Sequence, residues 1–246
     1  MAHYKIILAY DGTDFLGFQR QFEGRTVQNT LESALRRIGW GGSSVIGAGR
    51  TDAGVHASGQ VVGIEFDWSH STENLRDALN ANLPQDVAVC SVEEIDKGFH
   101  ARYSAIARCY QYRLFFDQIR NPLKERYAWR VWPPLSMDHV EKAAEFLIGE
   151  HDFSAFGTPP IPGGSTIREI INTSWNAEQD FIVFEILGNS FLYHMVRRLV
   201  NFQVEIGLER RSPFEIENLL KETHGPIVQG LAPARGLCLE EVRYPI

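Results

Sequence analysis

The chain has 246 residues, enough for one large domain or two of ordinary size, and its 44% apolar and 11% aromatic content suits a packed core, not a disordered chain. No apolar run approaches the ~20 residues of a membrane helix, and the N-terminus from Met1 to Lys5 lacks the basic-then-apolar pattern of a secretory signal. Net charge is −7, yet of 24 lysines and arginines only five are lysines, so 19 are arginines, the side chain that grips phosphate bidentately and stacks on bases.

Three cysteines, Cys90, Cys109 and Cys238, stand far apart with no CxxC or CxxH spacing. That pattern points to reduced thiols in the cytoplasm and away from a structural zinc. The eight histidines show no ligand-like spacing either, so no metal site is expected.

In chain order, Tyr4 to Tyr10 is β-branched and apolar and reads as a strand. Asp11-Gly12-Thr13 is similar to the end of the DxDGT motif of aspartate phosphatases, but Ala9 stands where the nucleophile belongs, so the segment reads as a turn. Phe18 to Arg25 interleaves two arginines and two amides with aromatics, a composition suited to single-stranded or loop RNA. Thr26 then caps a helix with Val27, Leu31, Ala34, Leu35 and Ile38 on one face, ended by Gly39.

Strands are expected at Ser44 to Ala48 and Gln60 to Phe66, either side of a glycine-rich stretch. Ser71 or Thr72 caps a second helix, stopped by Pro84, and Val87 to Val92 is another strand. The chain to this point reads as an α+β layer, with a domain boundary near residue 103 that separates residues 1–103 from 104–246. Ala107 to Phe116 alternates with period two, Tyr110, Tyr112, Leu114 and Phe116 on one face. Ser136 caps a helix closed by Gly149, and Thr158 to Gly164 is a proline- and glycine-rich loop. Thr166 to Asn176 and Phe181 to Leu187 read as strands, and Asn189 as the cap of a long helix reaching Ile206. On that helix Arg197 falls off the apolar stripe, where a solvated face is the plain reading. Pro213 starts a last helix, and Leu237 to Tyr244 closes a sheet.

The stretch from Gly47 to Gln60 carries four glycines and three alanines, so side-chain bulk is low around Arg50, Asp52 and His56. A carboxylate with a guanidinium two residues away is a nucleophile or base held ionised; a glycine-rich turn whose Asp satisfies its own backbone is the plainer reading of the same residues. Other chemistries are excluded. The chain has no GxGxxG, GxxxxGK[ST], GxSxG, HExxH or EF-hand loop, and no HxE with PCxxC of the zinc deaminases. What survives is a cofactor-free site built on one carboxylate.

Gly49-Arg50-Thr51-Asp52-Ala53-Gly54-Val55-His56-Ala57 closely resembles the signature of the tRNA pseudouridine synthase A family. The resemblance runs through Tyr10 to Thr13, Gly17 to Gln21, Thr26 to Gln28, Phe99 to Arg102, Arg108 to Tyr110, Asn189 to Arg197 and Ala232 to Leu237. Phe18 stands where tryptophan is common, Cys109 in a usually basic position and Tyr193 where histidine is usual. The resemblance implies an α+β fold of two halves whose antiparallel sheets meet at a central cleft, and a homodimer acting on the anticodon stem–loop of tRNA without cofactor, metal or membrane. It implies isomerisation of uridine to pseudouridine at positions 38, 39 and 40. Asp52 would be the nucleophile, Tyr110 the residue stacking on a flipped uracil, Arg197 the partner of Asp52, and Arg50 a holder of the nucleotide or its phosphate. Gln19, Arg20, Gln21, Arg25, His56 and Arg168 join Tyr110 as candidate substrate-binding residues.

The roles are physically sensible. A stacked uracil must leave the helix before it can react, at about a few kcal/mol, and an aromatic ring recovers ~1–3 kcal/mol by stacking. The carboxylate is suited to attack on the sugar C1′, addition to uracil C6 or proton abstraction; the residues are compatible with each. A non-catalytic tRNA-binding or tRNA-folding module would have no need of Asp52 beside RNA phosphates. A carboxylate-based nucleoside hydrolase would release free base.

Overall fold

A computed structural model describes residues 1–222 and 225–245 of the protein. The chain divides into two compact units, Met1–Ile106 with Cys238–Ile246, and Ala107–Leu237.

In the first unit, β1 (Ala2–Tyr10), β2 (Ile46–Gly47), β3 (His56–Phe66), β4 (Val87–Ile95) and the C-terminal β10 (Leu237–Arg243) form the sheet, in the order β4-β1-β3-β10 with β2 on β3. β1 runs antiparallel to β3, with Ile6 opposite Val62, and antiparallel to β4, while β10 joins β3 in parallel at Cys238 and Leu239. The β1–β3 register slips by one residue between Leu8 and Tyr10, a bulge of the kind that re-aims side chains beside a site. Two helices complete the unit, α1 (Val27–Arg37) and α2 (Thr72–Asn80). The Thr26 hydroxyl caps α1 by accepting from Asn29 N, and Gly39 follows the helix at a φ of 96°. Leu31, Leu35, Leu75 and Leu79 from the helices and Ile6 and Leu8 from β1 are fully buried.

The second unit carries β5 (Ala107–Phe116), α3 (Pro122–Glu125), β6 (Trp129–Val131), α4 (Met137–Glu145), β7 (Gly149–Asp152), β8 (Ile167–Glu178), β9 (Phe181–Gly188), α5 (Met195–Gly207) and α6 (Phe214–Lys221). The strand order β5-β9-β8-β7 is antiparallel throughout, and β6 adds to β5 in parallel. Tyr112, Leu114, Leu147, Phe153, Phe156 and Phe184 are wholly buried. Each unit is therefore α+β with a mostly antiparallel sheet.

Several elements depart from the sequence reading. The helix expected from Asn189 begins at Met195. Leu192 is nonetheless buried, from the loop that precedes the helix, so the apolar spacing continued past the true helix start. The Asn189 side chain accepts from Glu169 N at 3.3 Å, which diverts it from capping. The entry to α5 is made by His194 at a left-handed φ of 65°. Ser136 precedes α4 without a side-chain cap, and Gly149 does not close that helix but opens β7, at a φ of 111°. Ser44 to Ala48 yields two strand residues, because Val45 N donates to the buried Glu32 carboxylate and not to a sheet neighbour. β3 begins at His56, four residues before the expected start. The short elements α3, β6 and β7 carry no clear period and were not expected.

Candidate active site

Asp52 lies in the connection from β2 to β3, half-buried, its carbonyl accepting from Val55 N at 3.2 Å to close a tight turn. The loop is anchored on both sides of that residue. Gln60, fully buried on β3, donates Nε2 to Gly49 O at 3.0 Å. Tyr10, at the end of β1 beyond the bulge, shares a 2.8 Å hydrogen bond with the Thr51 hydroxyl. Phe18 N donates to Thr51 O at 3.1 Å, and Gly54 N to Phe15 O at 3.2 Å.

These contacts need backbone to lie on backbone. A Cβ on Gly12 would sit 1.9 Å from Val55 O, and one on Gly17 would sit 2.6 Å from Thr51 O at a φ of 97°. The two glycines of the 10–21 segment are thus the points where it presses on the Asp52 loop.

His56 is 7% exposed, so it serves as an internal brace. Its Nδ1 lies 3.0 Å from Gly12 N and 3.2 Å from an Asp11 oxygen. One nitrogen cannot accept from the amide and donate to the carboxylate at once; a ring protonated only on Nε2 takes the first role and a ring carrying a proton on Nδ1 the second. Arg50, by contrast, is exposed, and its side chain has no hydrogen-bond or ion-pair partner among the described residues.

The Phe18 to Arg25 loop separates into structural and presented residues. Phe18 is buried at 3% exposure, its ring against Gly47, so it is core and not a nucleic-acid contact. Arg25 forks both terminal nitrogens onto Asp86 at 2.6 and 2.7 Å and lies 4.1 Å over the Phe15 ring; the Asp86 hydrogen bond raises its pKa above the usual arginine value. Arg20 places Nη1 2.8 Å from the fully buried Glu32, and its main-chain N donates to Gln28 Oε1. Gln21 reaches back to Leu16 O. Gln19 and the fully solvent-exposed Phe22 face outward. The Gln28–Glu32 pair, four residues apart on the buried face of α1, ties helix, loop and Val45 together and was not foreseen from sequence. Two polar residues at helical spacing amid Leu31, Ala34 and Leu35 were the available signal.

In the second unit, Tyr110 on β5 is 8% exposed and meets Phe191 edge-on, ring centroids 5.1 Å apart. Arg197, in the first turn of α5, is half-buried, unlike the solvated residue its position suggested. Its Nε donates to Ala232 O at 2.8 Å, and Ala232 N donates back to Arg197 O at 3.2 Å. Tyr112 donates its hydroxyl to Pro233 O at 2.8 Å, and its ring lies where a Cβ on Gly236 would stand, 2.6 Å from Cζ. Burial drives the Tyr112 pKa well above that of a free phenol, so the group stays protonated. The Ala232 to Leu237 block thereby supports both Arg197 and the strand bearing Tyr110.

Among the described residues no three His, Cys, Asp or Glu side chains are placed to hold a metal ion, and no helix is long and apolar enough to cross a membrane.

A sequence profile of the family described as tRNA pseudouridine synthase matches residues 6–104 and 143–245. The chain belongs to that family. It is 40% identical to tRNA pseudouridine synthase A of Limosilactobacillus reuteri (strain DSM 20016), over 99% of this chain and 97% of the relative. It is 37% identical to the Geobacter sp. (strain M21) protein of the same name, over 100% of both. Among solved structures, the archaeal box H/ACA sRNP Nop10–Cbf5 complex aligns at a TM-score of 0.39 and 10% identity, over 82% of this chain and 44% of that chain; a likeness so distant does not bear on the fold.

As a tRNA pseudouridine synthase the protein is an isomerase, and the geometry within each unit suits one. The loop that carries Asp52 is held on both sides by β1 and β3. An aromatic ring braced edge-on by Phe191 is likewise preorganised.

Proposed function

We propose that the protein converts uridine to pseudouridine at positions 38, 39 and 40 of the tRNA anticodon stem–loop, with Asp52 as the nucleophile. The uracil N1–C1′ bond breaks, the base turns, and C5 bonds to C1′; the C5 proton leaves and N1 takes one up. Tyr110 stacks on the extruded uracil, and Arg50 and Arg197 are the arginines that serve the carboxylate and the nucleotide. Gln19, Arg20 and Gln21 contact the RNA, while Arg25 and His56 act by holding their loops. The protein works in the cytoplasm as a homodimer of two-domain chains.

The observation that carries this reading is the GRTDAGVHA loop, in a chain matched to family members end to end, with Asp52 fixed between the Gln60–Gly49 and Tyr10–Thr51 hydrogen bonds. The test is carbodiimide mapping of pseudouridine by reverse transcription in unmodified tRNA incubated with the protein alone. Stops at 38, 39 or 40 are expected, absent with Asp52→Ala although that variant still binds tRNA. Full turnover by Asp52→Ala in tritium release from C5-labelled tRNA would remove Asp52 from the chemistry.

A further inference from the structure

The loop between β9 and α5 carries two rings stacked on one another, Tyr193 and His194, with centroids 3.7 Å apart and planes 26° apart. Side chains of adjacent residues diverge around a helix and point to opposite faces of a strand, so neighbours stack in neither. The left-handed φ of 65° at His194, uncommon for a residue with a Cβ, is what brings the two rings together. Leu192 and Met195 on either side of the pair are buried at 4% and 0% exposure, whereas Tyr193 is 57% exposed. With the imidazole over one face of the phenol ring, the opposite face is left to solvent.

The main chain beneath the ring is fixed. Tyr193 N donates to Thr158 O at 2.9 Å in an isolated bridge, and a Cβ on Gly157 would sit 2.9 Å from Tyr193 O. Arg198 Nη1 donates to the same carbonyl at 3.4 Å. A lone exposed aromatic calls for no explanation. Tyr193 differs, because its backbone is clamped and its ring is oriented at the cost of a strained neighbour, while the ring itself fills no core.

The pair lies in the block that carries the proposed chemistry of this unit. Phe191, two residues before Tyr193, braces Tyr110 edge-on, and Arg197, three residues beyond His194, stands in the first turn of α5. Arg168, half-buried near the start of β8, is by contrast turned inward, with Nη1 on the carbonyls of Ser165 and Ile167. A preoriented aromatic face suits an unpaired base, since every base has a π-face and needs no particular hydrogen-bond pattern to stack. We propose that the Tyr193–His194 pair is a stacking platform for an unpaired nucleobase of the tRNA anticodon stem–loop, distinct from the uridine that reacts at Tyr110. The platform rests on the reading above that this RNA is the substrate. It contributes to holding the loop and takes no part in making or breaking bonds.

The test is the affinity of Tyr193→Phe, Tyr193→Leu and Tyr193→Ala for an unmodified tRNA transcript and for a fully paired RNA duplex, each at about 50 and 200 mM salt. Tyr193→Phe keeps the ring and should bind tRNA as the wild type does. Tyr193→Ala should bind tRNA about 5-fold or more weakly, the lower end of what a lost base–aromatic stack costs. Tyr193→Leu, which keeps bulk without a π-face, should fall with it. The loss should be the same factor at both salt concentrations, because stacking neutralises no phosphate, and absent on the duplex, which offers no unpaired base. Wild-type affinity in Tyr193→Ala, an equal loss on the duplex, or Tyr193→Leu binding as well as Tyr193→Phe would each overturn the platform. Should Tyr193→Ala melt far below the wild type, the comparison of Tyr193→Leu with Tyr193→Phe decides alone. Pseudouridine formation by the wild-type protein is read in parallel. Its absence, with ring-dependent tRNA binding intact, would refute the proposed reaction and leave the platform standing.

Discussion

Gly17→Ala is the sharpest test of how the Asp52 loop is held. The new Cβ would stand 2.6 Å from Thr51 O and 3.2 and 3.3 Å from Asp52 C and Ala53 N, all backbone atoms that cannot rotate away. Relief to ordinary contact needs a retreat of about 0.8 Å by one segment or the other, close to the 1 Å misplacement that costs a catalytic group about 100-fold. The φ of 97° adds strain of about 1–3 kcal/mol for any residue with a Cβ. At roughly 2–4 °C per kcal/mol for a chain of this size, the melting point should fall by about 2–12 °C. Gly39→Ala supplies the control, because Gly39 has nearly the same φ, 96°, with nothing within 4 Å of the added carbon. Both variants should lose stability, but only Gly17→Ala should lose rate, by about 10- to 100-fold in single-turnover tritium release. A folded Gly17→Ala protein with the wild-type single-turnover rate would show that pressure from residue 17 does not set the position of Asp52.

Gln60→Leu keeps most of the side-chain volume but deletes the bond to Gly49 O, and should cost about 1 kcal/mol in chemical denaturation. It should also lower the single-turnover rate with little change in tRNA affinity; a fall in affinity alone would contradict the clamp. Tyr112→Phe removes the bond to Pro233 O and should also cost about 1 kcal/mol. The sign of its pH dependence follows from a phenol whose folded pKa lies above the unfolded 10.0. The tyrosine contribution is fully present below pH 10 and is lost as pH rises beyond it, when the unfolded chain ionises first. Denaturation curves of the two proteins should therefore differ by a constant amount from pH 6 to 9 and converge above pH 10.

Local chemistry made much of the first unit legible. Thr26 and Gly39 bound α1 as their capping roles require, and the Asp52 loop was visible as a run of small residues around Arg50, Asp52 and His56. The errors came where two signals overlapped. Asn189 is a good helix cap in isolation, but a strand amide at Glu169 competes for the same oxygen. Phe18 and Phe22 are alike in sequence, four residues apart in one polar loop, yet one ring fills the core beside Gly47 and the other lies in solvent. Arg197 falls off an apolar stripe and would be solvated on an isolated helix; its acceptor at Ala232 comes from a segment 35 positions away, which no local pattern announces.

The motif glycines take their meaning from the fold. In the sequence, Gly12 reads as a turn residue, and Gly17 and Gly236 appear only within their motif blocks. In the fold each is a point of contact: Gly12 on the Val55 carbonyl, Gly17 on the Thr51 carbonyl and Gly236 under the Tyr112 ring. Close approach through a missing Cβ lets the Tyr10 to Gln21 block brace the Asp52 loop, and lets the Ala232 to Leu237 block support β5 while it receives the Arg197 Nε. The dispersed motifs are therefore paired by packing within each unit, and a methyl group at any of these three positions should displace the Asp52 loop or β5 through the atoms it meets.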